Sequence, residues 1–212
     1  MYYDSNIINS CINKGNIYSK NGSFGISTYN YGARNKSIIL NCYNSGNITS
    51  GGETAGIGDI AEIYNSYNTG TISSTNNSIF STPGGIFGYP YNSMSSLNIY
   101  NCYNIGKING GEIGGYWRGN IIGIIRIISP IVKNCYYLDQ QRSMGDDNLA
   151  TKCNNEEITS IEFVNKLNSF IETNGNGDNI DTSNYAKWIK KDDGTVSLDF
   201  NTIWNGSSWE TK

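Results

Sequence analysis

The sequence predicts an all-β repeat protein: a parallel β-solenoid of about five coils, followed by a small α+β cap. Three observations carry this reading. First, Asn41-Cys42-Tyr43-Asn44-Ser45-Gly46-Asn47-Ile48 returns as Asn65-Ser66-Tyr67-Asn68-Thr69-Gly70-Thr71-Ile72 and as Asn101-Cys102-Tyr103-Asn104-Ile105-Gly106-Lys107-Ile108. A weaker copy starts at Ser10-Cys11 and a decayed one at Asn134-Cys135. The Cys-or-Ser position therefore falls at 11, 42, 66, 102 and 135, with intervals of 31, 24, 36 and 33. Self-similarity at such periods marks solenoids, propellers or arrays. Second, Asn, Gly, Ser, Ile and Tyr dominate, a mixture of strand formers and turn formers. Third, the period changes after Asp139, where a helical pattern begins.

Within each copy, a β-branched residue stands three places before the Cys position: Ile8, Ile39, Ile63, Ile99 and Val132. Six places after it stands Ile17, Ile48, Ile72 or Ile108. Stacked coils would align these as interior ladders about 4.8 Å apart. The two positions have opposite parity, so a bend must separate them. Glycine four residues after the Cys position is expected to permit that corner. Asn41, Asn65, Asn101 and Asn134 are expected to hydrogen-bond from coil to coil. A second glycine-rich phrase follows: Gly22 to Ile26, then Gly51 to Gly58, Pro83 to Gly88, and Gly110 to Gly115. Ser73 to Thr82, Tyr89 to Ser96 and part of 18–36 read as loops.

Residues 1–139 are expected to form the solenoid and 140–212 its cap. Thr159-Ser160-Ile161-Glu162 reads as a capping box opening a helix over about 160–172, with Ile158, Ile161, Val164, Leu167 and Ile171 on one stripe. Trp188-Ile189 and Thr195 to Phe200 read as short strands around Asp192-Asp193-Gly194. An apolar-striped helix would cover the unpaired edge of a solenoid end.

Composition excludes several classes. Charged residues are 16% and the net charge is −3, so there is no basic field for nucleic acid. The greasy run Ile121 to Val132 is too short to span a bilayer. Met1-Tyr2-Tyr3-Asp4 has no secretory-leader character, and the chain reads as a piece of a longer protein. Cys11, Cys42, Cys102 and Cys135 share one repeat position with Ser66, which favours a stack of buried free thiols over disulfides or metal. The chain has no His.

No catalytic, cofactor or metal residues are assigned. Glu53, Asp59 and Glu62 are the carboxylates closest to an acid–base set, and a solvated loop outweighs catalysis for them. Asn174, Asn176 and Asp178 place oxygens at alternate residues like the start of a calcium loop. Asn179 and Tyr185 then stand where an EF-hand needs Gly and Glu, so a plain polar loop is preferred. Tyr89, Tyr91, Tyr116 and Trp117 are the candidate ligand-contact aromatics, for stacking on sugar rings, weighed against simple covering of hydrophobic seams.

The repeat over residues 7 to about 139 resembles the GLUG motif of large bacterial surface proteins, on Asn-Cys-Tyr-Asn-x-Gly-x-Ile followed by Gly-Gly-x-x-Gly. It departs from that pattern at Ser66 and at Tyr116 after Gly114-Gly115. Phe163-Val164-Asn165-Lys166-Leu167-Asn168 resembles a stretch that follows the last repeat in such proteins. The resemblance implies a non-catalytic adhesive or structural stalk with a protein or glycan partner. It equally implies, as the alternative, an accessory region of a larger surface enzyme similar to IgA-cleaving zinc metallopeptidases. Their His-Glu-x-x-His motif cannot occur in a chain without His. A carbohydrate-binding or carbohydrate-active β-helix is a more distant third reading.

Overall fold

The structure is a computed structural model that describes residues 6–27, 37–60, 62–76, 81–89, 96–110, 118–123, 129–138 and 149–212. It divides into two compact units, 1–152 and 153–212. No helix among the described residues is long and apolar enough to cross a membrane.

The first unit is a parallel β-solenoid. Among the described residues, successive coils contribute short strands to four stacked sheets. The first sheet stacks Asn6–Asn9, Ser37–Leu40, Glu62–Tyr64, Asn98–Tyr100 and Ile131–Lys133. Its register aligns Ile8, Ile39, Ile63, Ile99 and Val132, the expected ladder. The second sheet stacks the Tyr-Asn pairs 43–44, 67–68 and 103–104 between Ile12–Asn13 and Tyr136–Leu138, and continues into Thr151–Cys153. Tyr43, Tyr67 and Tyr103 stack ring on ring at 4.8 and 5.0 Å. The third sheet aligns Ile17, Ile48, Ile72 and Ile108. The fourth pairs Gly22–Phe24, Glu53–Ala55 and Pro83–Gly84.

The corner lies at Asn rather than at Gly. Ser10, Asn41, Asn65, Asn101 and Asn134 all hold left-handed backbone, φ between 47° and 58°. Asn adopts that region more readily than other non-glycine residues, because its short side chain bonds locally. The amide then serves twice. Nδ2 of Asn41, Asn65, Asn101 and Asn134 donates to Oδ1 of Asn9, Asn41, Asn65 and Asn101, at 2.6–2.9 Å. Gly46, Gly70 and Gly106 do not have positive φ. A Cβ there would collide with the carbonyl oxygen of Gly15, Gly46 or Gly70 in the coil below. These glycines therefore permit close coil-to-coil approach.

The Cys position is chosen for bonding as well as size. Sγ of Cys42 donates to Leu40 O at 3.1 Å, as Ser66 Oγ does to Tyr64 O at 2.7 Å. The same atom accepts from the coil before: Cys42 N donates to Ser66 Oγ at 3.0 Å and Cys11 N to Cys42 Sγ at 3.3 Å. A thiol and a hydroxyl each donate and accept, so either fits. None of the five cysteines forms a disulfide; Cys42, Cys102, Cys135 and Cys153 are buried, whereas Cys11, in the outermost described coil, is exposed.

Two apolar compartments result. The larger contains Ile39, Ile63 and Ile99 with Ile57, Ile86, Phe87, Ile121 and Ile122. The smaller is the Ile48, Ile72, Ile108 ladder with Ile17 against it. The register of the fourth glycine-rich phrase corrects the expectation. Gly119-Asn120-Ile121-Ile122-Gly123, and not Gly110 to Gly115, aligns with Gly84-Gly85-Ile86-Phe87-Gly88. Likewise Ile72–Ser74 is strand, so the loop expected from Ser73 begins later.

In the second unit, α1 (Asn155–Ile158) precedes α2 (Ile161–Glu172). The capping box belongs to α1, from Asn154 and Glu157, and Ser160 rather than Thr159 caps α2. Ile161 is exposed; the buried stripe is Phe163, Val164, Leu167, Phe170 and Ile171. That stripe joins an antiparallel sheet of Ala186–Lys190, Val196–Trp204 and Trp209–Thr211. Asn168 bonds both the N–H and the C=O of Trp188 at 2.9 Å, fixing helix to sheet.

Candidate functional site

A second amide ladder lies inside the solenoid, and the sequence reading had not separated it from the corner ladder. Asn44, Asn68 and Asn104 are buried. Nδ2 of Asn13 donates to Asn44 Oδ1, Asn44 to Asn68 and Asn68 to Asn104, each at 2.7 Å. Each Nδ2 also donates to the carbonyl two residues on, at 2.8–3.1 Å, on Gly15, Gly46, Gly70 and Gly106. The second glycine-rich phrase makes room for this ladder. A Cβ on Gly25, Gly56 or Gly85 would strike Asn44, Asn68 or Asn104. The signal was present in the sequence as the Asn two residues after the Cys position in four of the five copies; Tyr137 takes its place in the fifth.

One coil breaks the pattern. Gly58, Phe87 and Ile122 are bridged from coil to coil, so the next residues, Asp59, Gly88 and Gly123, occupy one repeat position. An acid thus stands where the two following coils carry glycine. Asp59 is fully buried, contrary to the solvated loop expected for it. Its Oδ1 accepts from the backbone N–H of Tyr89 at 3.3 Å, and Oδ2 has no hydrogen-bond partner. Burial, and next the charge of Glu53, push the Asp59 carboxyl well above its ordinary value. The Tyr89 N–H opposes this only in part. Burial therefore favours the neutral form of Asp59, beside half-buried Glu53 on strand Glu53–Ala55. Such a pair can exchange a proton or present a hydrogen-bond donor.

The structure thus brings Glu53, Asp59 and Tyr89 together and sends Glu62 elsewhere. Glu62 is buried in the first sheet, where it hydrogen-bonds Tyr64. The Tyr64 phenol is pushed up by burial first, then by Glu62. Tyr89 is half-buried; Tyr91, Tyr116 and Trp117 lie outside the described residues. At the calcium-like loop, Asn174 Oδ1 accepts from the Thr182 hydroxyl at 3.2 Å and Asn176 Oδ1 from the Thr173 hydroxyl at 3.3 Å. Those oxygens close a helix terminus. No group of three or more His, Cys, Asp or Glu among the described residues is placed to hold a metal.

The outermost described coil is the other notable surface. Ile7, Ile12 and Tyr18 are 60%, 44% and 73% exposed. A hollow of about 440 Å³ opens beside Ile17, Gly22, Phe24 and Ile26.

The chain matches no protein-family model and no curated protein. Among solved structures it is similar to a protein from Bacteroides ovatus designated a "putative immunoglobulin A1 protease". The TM-score is 0.62 at 18% identity, over 92% of this chain and 57% of that one. The chain therefore spans just over half the length of that protein, and the likeness is one of fold.

Proposed function

We propose that this chain is a non-catalytic structural module of a larger bacterial secreted or cell-surface protein. The supporting observation is how the repeat spends its polar side chains. Both Asn ladders and the Cys/Ser ladder are committed to coil-to-coil bonds, which rigidifies the solenoid rather than presenting reactive groups. The fold likeness to a protein designated an immunoglobulin A1 protease favours an accessory region of a larger surface enzyme. The GLUG-like repeat supports the same setting and an adhesive contact with protein or glycan. The five-stranded first sheet has four steps of about 4.8 Å, a rise of about 19 Å.

The test is incubation of the purified chain with immunoglobulin A1. Intact heavy chain is expected. Cleavage that disappears in Asp59→Asn or Glu53→Gln would overturn the proposal and make the carboxyl pair an active site.

A further inference from the structure

The outermost described coil is an unfinished copy of an interface seen repeatedly inside the solenoid. Asn6–Asn9, Ile12–Asn13, Ile17–Ser19 and Gly22–Phe24 each end their sheet. Such an edge offers a row of backbone donors and acceptors to another strand. The apolar positions are open in the same coil. Ile8, Ile17 and Ile26 are only partly buried, while their neighbours one coil on, Ile39, Ile48 and Ile57, are fully buried.

The side-chain ladders define what would fit. In the corner ladder each Nδ2 donates toward this end, and Asn9 Oδ1 receives the last bond. Asn9 Nδ2 is uncommitted among the described residues and is the donor left over. In the inner ladder each Nδ2 donates away from this end, so Asn13 Oδ1 can take one further donor. Asn104 Oδ1 shows that this oxygen accommodates two, from Gly106 N and Asn68 Nδ2. In the Cys ladder, N–H of each coil donates to the sulfur or oxygen of the next, which leaves Cys11 Sγ as the spare acceptor.

We infer that this face is a docking surface for one further coil of the same repeat chemistry. The occupant is a strand–corner–strand segment laid parallel to the first coil. It carries an Asn acceptor at the corner, an Asn donor in the next strand, a backbone N–H aimed at Cys11, and Ile over Ile8, Ile17 and Ile26. A twofold-related second copy would run its strands antiparallel, whereas the four described strand pairs this coil makes are parallel. The inference rests on ladder geometry, so it stands or falls separately from the non-catalytic role.

The test lengthens the whole chain by a second copy of residues 37–60, the shortest coil, inserted before Asn6 with Cys42→Ser in the added copy, the residue Ser66 supplies at that position, so that no new end-coil thiol is introduced. A control insert carries Ile39→Asp, Ile48→Asp and Ile57→Asp. Cys11, exposed in the parent, reports coverage through its labelling rate with a maleimide. The expected result is labelling about tenfold slower or more with the intact insert, a higher melting temperature, and neither change with the control. Equal labelling in all three proteins overturns the inference. So does protection of Cys11 in the parent that grows with protein concentration, because the occupant would then be a second copy.

Discussion

Asn68→Asp tests the inner ladder with almost no change of shape. Asn68 Nδ2 donates to Asn104 Oδ1 at 2.7 Å and Gly70 O at 2.9 Å, while its Oδ1 accepts from Asn44. An ionised Asp keeps the acceptor and loses both donors. It sets a carboxylate oxygen against two other oxygens in a fully buried site. Leaving a buried polar partner unsatisfied costs about 1–3 kcal/mol, so the pair gives about 2–6 kcal/mol before any charge burial. That is a large share of a domain's stability of about 5–15 kcal/mol. Acid should soften the defect, because a neutral carboxyl regains one donor. The matched control is Asn47→Asp, exposed in the preceding motif copy. Its Oδ1 accepts from Thr71 N at 3.0 Å, a bond the carboxylate retains, so the cost should be within about 0.5 kcal/mol. Urea unfolding followed by circular dichroism, at neutral and mildly acid pH, reads both. Equal losses in the two variants, or a neutral Asn68→Asp, would refute the ladder as a source of stability.

Gly70→Ala should cost about 1–3 kcal/mol, because its Cβ meets Gly46 O and Asn44 Nδ2. Gly15→Ala, where the nearest atom is Asn13 Oδ1 at 3.7 Å, should cost under about 1 kcal/mol in the same unfolding assay. The folded-state carboxyl of Asp59 is raised above its ordinary 3.8, so its contribution to stability is full below that value. It is lost as pH rises toward and through the raised one. Asp59→Asn should therefore melt higher than the parent at pH 7 and converge with it near pH 4 in a pH series of melting curves. Among the thiols, Cys11 alone should label quickly. Burial pushes Cys42 up to about 12 and Cys102 well above its ordinary value, so the buried thiols should react only on unfolding, with no disulfide in a non-reducing mass measurement.

The interior ladders were legible because a repeated β-branched residue has one economical use, and stacking translates sequence identity into spatial register. Ile8 to Val132 and Ile17 to Ile108 align as their spacing implies. The role of glycine was not legible. Gly46 looks the same in sequence whether it supplies positive φ or removes a Cβ, and only the neighbouring coil decides. The fourth glycine-rich phrase was misplaced for a related reason. Gly110-Gly111 and Gly114-Gly115 imitate the motif, while the true phrase has Asn120 where the others have glycine. The Asp59 site escaped because burial of an acid cannot be read from a polar-looking segment. Its warning was positional: once the coils are aligned, an acid falls where the two following coils have Gly88 and Gly123.

The opposed direction of the two amide ladders is the feature that most constrains how such a solenoid can be built. A single ladder of aligned amides would sum its dipoles along the axis and end in a donor on one side and an acceptor on the other. Here the corner amides donate toward the first coil and the inner amides donate away from it. The axial components oppose one another, while neighbours within each chain still polarise each other. Every coil added at the Asn9–Asn13 end would gain one amide bond from each ladder, with donor and acceptor exchanged between them. A segment with the Asn spacing of this repeat meets both demands at once. A strand with Asn at only one of the two positions makes one amide bond fewer, as the fifth coil does with Tyr137 opposite Asn104, whose Nδ2 keeps only Gly106 O among the described residues. The paired Asn of the motif is thus what makes the end of one coil specific for the start of another.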